Sequence, residues 1–554
     1  MNSSGDASKT IAFHPILFGL IQKRKNLQTG KIELQFFWRR IAFVGLLLVS
    51  LLWVGKSAAL YFTFKHYAKY PEVTFQDMLV FPFNLKVYRQ KMGQYDIEQC
   101  KIAFQAKDYR AARIYAHTGI RRSPNHLEGR LYLAVLNQIY SDPNQARAVL
   151  HEGIPYILKM RPHYTQEAMR YMVELSEFFI KKHYDQELID IIDQFMASSP
   201  GINPMNQLLA QYAASLAYLR GDFKTIDELM AQYQFDQLPE GCLIAAKLEW
   251  ERGQKNKAIQ RLEQGIRQFP NKGTLYVSLI THLREMGHLD DALRIVRLYN
   301  LYNPLDPMPY IMSMYCLDDQ GKEGQLNQEI DAFFQQFGDR AEPLNKLAFF
   351  AAETGRLSLN ESVYRHLLNT NLPKAEAFFL MLENCIRHGS FEAAAAHLEE
   401  LILIRPGWLL EEEKEQFLNG FRAVVHYAMD EKELGKHYLT QYLQQSWVKP
   451  EETVALAKHF QSLEQPELAK KLFSHVYKLF PHNEAVLNGL TQTQIDTGNI
   501  SKALTLLPEL LASRRPLMPI LKKAYQQLGR DRFLFTLNRK QLLQQLFIRL
   551  QRNL

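Results

Sequence analysis

Residues 275–304 read LYVSLITHLREMG (275–287) followed by HLDDALRIVRLYNLYNP (288–304), two amphipathic helices separated by a glycine and closed by a proline. In the first, Tyr276, Leu279, Ile280 and Leu283 recur at three- and four-residue spacing, which puts them on one helical face. Gly287 ends that helix, because glycine takes the left-handed conformation of a C-terminal cap. Ala292 lets the second helix approach the first closely, and Pro304 cannot continue it. The pattern recurs along the chain. Gly221, Gly253, Gly287, Gly321, Gly355 and Gly389 are separated by 32 and then four times by 34 residues. Ala112 and Ala146, Ala258 and Ala292, Ala469 and Ala503, and Pro270 and Pro304 are each 34 apart. A period of this length marks helix hairpins, each leaving an apolar face that only its neighbours cover.

This combination resembles the tetratricopeptide repeat (TPR) family, in its membrane-anchored bacterial form. In that register the unit from Gly273 supplies Tyr276, Leu279, Ile280 and Leu283, then Gly287, then Ala292, Val296, Tyr299 and Pro304. The unit from Ala375 supplies Phe378, Met381, Leu382, Cys385, Gly389, Ala394, Leu398, Leu401 and Pro406. About twelve units fit residues 93–516; those near 163–200 and 407–449 lack the small residue and the turn glycine. The resemblance implies an all-α fold, a right-handed superhelical solenoid of TPR-like hairpins following an N-terminal transmembrane helix. It also implies a concave face that receives a protein or peptide segment. Carried over one by one, the groove positions are Ile97, Leu131, Val277, Ile311, Phe379 and Val454, with Phe104, Tyr218, Trp250, Tyr315 and Phe349 beside them. Phe104, Tyr218, Trp250, Tyr315, Phe349 and Phe379 are the candidate partner-binding residues; packing between helices is the competing role for each ring. No unit has the lysine of the family's carboxylate clamp, which disfavours chaperone C-termini as partners.

The 554 residues carry a net charge of +8, unevenly distributed. Residues 1–70 hold ten basic against two acidic residues and residues 514–554 hold ten against one, leaving 46 basic and 55 acidic between them. A mildly acidic body argues against nucleic acid as a partner. The first basic end flanks an apolar run from Ile41 to Phe64 that contains one charge, Lys56. At about 1.5 Å per residue its 24 residues exceed the roughly 30 Å of bilayer hydrocarbon. Residues 21–40 carry six basic side chains and residues 65–85 carry two, an asymmetry that keeps the N-terminus inside and sends the array across the cytoplasmic membrane. A cleaved leader ending near Ser57, Ala58 and Ala59 is the alternative. The organisation expected is therefore a basic cytoplasmic segment (1–40), a transmembrane helix (41–64), a juxtamembrane linker (65–92), the repeats (93–516) and basic capping helices (517–554). In the last, Leu537, Leu543, Leu546, Phe547 and Leu550 form the apolar face of a terminal helix.

No metal or cofactor is expected. Cys100, Cys242, Cys316 and Cys385 fall at interior positions of first helices and read as buried thiols, with no CxxC pair. His151, His163, His366, His397, His459 and His475 lack the i, i+4 pairing of a zinc helix. Phosphate-cradling loops, nucleophile elbows and HExxH helices do not occur. Glu411, Glu412, Glu413 and Glu415 read as a solvated face. The function these features favour is a membrane-tethered interaction scaffold for an envelope-associated complex. A soluble or secreted all-helical enzyme or chaperone with a cleaved leader is the second hypothesis.

Overall fold

The computed structural model describes residues 13–16, 20–25, 32–67, 70, 73–81, 83–140, 142–404, 409, 412–444, 449–481, 483–514, 517–529 and 538–551. It divides into two compact units, residues 1–175 and 176–554. Among the described residues, twelve helix hairpins follow one another from Leu85 to Ala512, most helices being 11–17 residues long. Their starts are set by short polar caps: Asp108, Asp142, Asn203, Asp222 and Asn483 each accept a hydrogen bond from the backbone N–H three residues on. Their mid-hairpin turns are left-handed, with φ between 65° and 76° at Gly221, Gly253, Gly287, Gly321, Gly355, Gly389 and Gly498. The recurrent alanines are buried against the partner helix, Ala112, Ala146, Ala258, Ala292, Ala394 and Ala469 completely.

In the first unit, strands β1 (Phe13–Ile16), β2 (Ile21–Lys25) and β3 (Ile32–Phe36) form an antiparallel sheet in sequence order. The all-α expectation thus holds for the array, while the basic N-terminal segment contains a sheet that its composition does not advertise. Helix α1 (Trp38–Phe62) continues through a π-helical turn, Thr63–Tyr67. The segment expected as a linker is structured: α2 (Phe75–Leu79) leads into α3 (Leu85–Gln105), the first helix of the first hairpin, which pairs with α4 (Tyr109–Arg122). Arg122 bonds both Tyr70 and Asp96 (2.7 Å to the latter), tying this segment to the array.

In the second unit the two ends meet. Arg514 donates to both carboxylate oxygens of Asp185 (2.9 and 2.6 Å) and to the carbonyl of Ile180 (2.6 Å), 329 and 334 residues away in sequence. The terminal helix Arg539–Gln551 buries Leu542 and Leu546, half-buries Leu543 and Leu550, and leaves Phe547 exposed. Leu537 and the carboxylates Glu411–Glu415 lie outside the described side chains. The unit at 407–449 turns on Asp430 rather than glycine, yet it does carry a small residue: Gly435, 34 before Ala469, is buried where the alanines sit.

Candidate functional site

Five of the six candidate rings do one physical job. Each reaches from one first helix to the next. Phe104 packs edge-on against Tyr132 at 5.5 Å. Tyr218 donates its hydroxyl to Glu251 at 3.0 Å. Trp250 stacks on His282 at 3.9 Å, with the Lys255 ammonium 5.0 Å above its ring. Tyr315 meets Phe350 edge-on, lies under the Arg284 guanidinium at 4.6 Å, and bonds Glu353. Phe379 stacks parallel to Phe421 and edge-on to Phe417, within the largest hydrophobic cluster. All five are half-buried, so the helical aromatic stripe braces the array. Phe349 differs, being 51% exposed. Of the groove positions, Ile97 and Ile311 are buried, and Leu131 and Val277 are half-buried.

The opening on the first-helix face lies one unit further along. Tyr315, Phe349 and Glu383 occupy one register, 34 residues apart. Glu383, on the helix Ala375–Arg387, faces His459 on the helix Pro450–Ser462, their Oε2 and Nε2 atoms 3.4 Å apart, although the helix Glu412–Ala428 intervenes in sequence. Around this contact lies a recess of about 440 Å³. Ile386, Phe391, Val454 and Leu463 give it apolar lining, while Arg387, Glu451 and Lys458 supply exposed charges of both signs. His459 is 8% exposed, and its Nε2 has no hydrogen-bond partner among the described residues; the contact with Glu383 is electrostatic. Burial alone would raise the Glu383 carboxyl, but His459 and Arg387, the latter at 3.0 Å, outweigh it and hold the group below the usual glutamate range.

Sequence spacing found Val454 as a groove position and missed its neighbours. Glu383 and Lys458 have the wrong chemistry for an apolar-anchor search, and only the fold brings His459 to Glu383. A second missed feature is structural. Asn360 stands at the alanine position 34 before Ala394, wholly buried, and donates to the Ala348 carbonyl at 2.7 Å. Asn384 donates to Asn360 Oδ1 at 2.5 Å and to the Ala351 carbonyl at 3.1 Å, sewing two units together.

The four cysteines are buried and unpaired on first helices, and burial pushes the Cys100 and Cys316 thiols up to about 11. Among the described residues, no group of three or more His, Cys, Asp and Glu side chains is placed to hold a metal ion. Among the described residues, one helix, Trp38–Tyr67, is long and apolar enough to cross a membrane, and it includes both ends of the expected span, Ile41 and Phe64.

No family model and no curated protein matches the chain. Solved structures with a related arrangement include yeast Tom70, 12% identical over 81% of this chain and 99% of that one with a TM-score of 0.31. The human IFIT1 dimer with m7Gppp-AAAA is 14% identical over 75% and 88%, with a TM-score of 0.32. Pseudomonas aeruginosa pilF is 10% identical over 45% and 92%, with a TM-score of 0.28. At this distance the likeness says nothing of what the chain binds. On its own geometry of 34-residue hairpins, left-handed glycine turns and buried alanines, the chain carries a helical array of tetratricopeptide-like units after one membrane-length helix.

Proposed function

We propose that the chain is a membrane-tethered protein-interaction scaffold. Helix α1 holds it in the cytoplasmic membrane with residues 1–40 inside, and the array stands on the far side, where it serves an envelope-associated complex. The site is the first-helix face of residues 176–554, centred on the recess between Glu383 and His459. That recess is the observation that carries the reading: an apolar floor with exposed charges of both signs at its rim suits an amphipathic polypeptide segment. An apolar side chain of the partner fills the floor, and its flanking polar groups pair with Arg387, Glu451 and Lys458. The acidic body favours neutral or basic segments over acidic ones. Phe349, one unit earlier in the same register, extends the contact.

Two measurements test this. A phosphatase reporter fused after Leu554 is active if the array lies outside the cytoplasm, and activity there only from a cytoplasmic reporter contradicts the orientation. Replacing Phe349 and Lys458 by alanine weakens crosslinked capture of the partner in intact membranes while the melting temperature stays within a few degrees, since both are exposed. Undiminished capture would remove the recess from the binding face.

A further inference from the structure

Immediately before helix α1, strands β2 and β3 form a hairpin with one apolar and cationic face. In their register Ile21 stands opposite Phe36, and Lys23 opposite Leu34. Alternation puts these four residues on one face of the sheet. Leu34 is 53% and Phe36 44% exposed; Lys23 is exposed and Ile21 half-buried. The alternate register positions pair Gln22 with Gln35 and Arg24 with Glu33, so the apolar residues of both strands gather on the first face. Open apolar side chains clustered beside a cation mark a surface shaped for contact with something other than water.

Two contacts hold this face against the start of the helix. The Phe36 ring stacks on Trp38, in the first turn of α1, with centroids 5.8 Å apart. The Phe37 N–H donates to the Leu20 carbonyl at 3.1 Å, which ties β2 to the helix entry. Trp38 is itself 73% exposed, and Phe43, Leu46 and Leu47 further along α1 are exposed as well. The open apolar surface thus runs from Leu34 through Phe36 and Trp38 onto α1, with exposed Arg39 beside the junction.

The depth of the face follows from the reading of α1 as a membrane span beginning at Ile41, on which the proposal rests. Trp38 then stands about one turn outside the hydrocarbon, among the headgroups, and its stacking partner Phe36 stands with it. Leu34, two residues along β3, is about 7 Å from Phe36, roughly the thickness of one headgroup layer. Lys23 and Arg39 are at the same level, where the cytoplasmic leaflet offers the phosphates of anionic lipids. We propose that the β2–β3 face docks in the headgroup layer of the cytoplasmic leaflet and binds anionic phospholipid. Leu34, Phe36 and Trp38 insert between headgroups, and Lys23 and Arg39 pair with lipid phosphate. No unpaired backbone enters hydrocarbon, because residues 21–25 pair with 32–36 and the outer edge of β3 meets the hydrated headgroups.

The test uses the full chain reconstituted in vesicles of phosphatidylcholine alone, or of equal parts phosphatidylcholine and phosphatidylglycerol. One cysteine is introduced by Leu34→Cys, Leu47→Cys or Leu305→Cys and labelled with an environment-sensitive fluorophore. The native thiols are buried, and Leu305 is an exposed position in the array. In the mixed vesicles, position 34 should emit to the blue of position 305 and be quenched by lipid spin-labelled at the headgroup. Position 47 should be quenched by lipid labelled deep in the acyl chain. Combining Lys23→Gln with Arg39→Gln, or using phosphatidylcholine alone, should reduce the quenching at 34 several-fold. Aqueous emission at 34 with position 47 still quenched overturns the docking and leaves the span standing. Aqueous emission at 47 overturns both. Equal quenching at 34 in the two kinds of vesicle overturns the choice of anionic lipid. Blue-shifted emission at 34 without quenching means that protein, such as a second copy paired on the sheet edge, covers the face, which also overturns the proposal.

Discussion

Gly287 and Glu464 hold the same conformation at the same point of their hairpins, with φ of 76° and 58°. At Gly287 an added methyl group would meet nothing within 4 Å, so Gly287→Ala changes only the backbone preference. Left-handed backbone costs an L-residue about 1–2 kcal/mol, and Gly287→Ala should lower stability by about 1 kcal/mol. Glu464→Gly reverses the chemistry and should raise stability by about 0.5 kcal/mol after the extra chain entropy of glycine is subtracted. Denaturant titration of the two variants checks the pair of signs; a stabilised Gly287→Ala would contradict the argument. These residues also show what sequence can reveal. A glycine at positive φ leaves a mark in residue type, so the six turns from Gly221 to Gly389 were legible, while Gly498, outside that unbroken run, was not picked out. Lys107, His183, Asp430 and Glu464 turn the chain equally well at φ of 58–63°, held there by the packing of the helices on either side, and leave no such mark. Asn360 is silent for a related reason: it breaks the small-residue rule, and its compensating hydrogen bonds to Ala348 and Asn384 come from the next turns of the fold.

Between helices, the aromatic stripe was legible as a stripe, because three- and four-residue spacing fixes a face. Its role was not, because a ring half-covered by the next first helix and a ring open to a partner have the same spacing. Trp250 and Phe379 now stand with the packing residues, and Trp250→Ala should cost about 2 kcal/mol or more through its lost stack on His282. The recess gives a pH signature. Glu383 is depressed below its ordinary value, so it contributes stability that is present above the unfolded-state value and is lost as pH falls through the folded one. The stability difference between the native chain and Glu383→Gln should therefore shrink between about pH 5 and pH 3. A difference that stays constant or grows over that window contradicts the assigned contact. At the C-terminus, Leu546 is fully buried in the cluster that runs back to Tyr364. Leu546→Ala should cost about 2–4 kcal/mol, read by thermal melting, whereas Phe547→Ala, at an exposed position, should cost far less. Equal losses would contradict a capping role for the helix Arg539–Gln551.

Among the described residues, the contacts that join the two ends of the second unit include a largely buried ion pair, Arg514 with Asp185, whose side chains are 11% and 12% exposed. Removing one partner strands the other, and Asp185→Ala should destabilise this unit by about 3 kcal/mol. Backbone hydrogen exchange should then quicken at both ends of it, near residues 180–198 and 500–514, although the substitution touches only one. Acceleration at the near end alone would mean that the pair does not join them. The measurement that tests this account most directly is photocrosslinking of the full chain in its native membrane. A photoreactive phenylalanine derivative replaces Lys458 at the recess or, as a control, Lys471 on the second-helix side. The account predicts a discrete crosslinked protein from position 458 and none from position 471. A product from position 471 alone, or none from position 458, would contradict the claim that the first-helix face receives the partner.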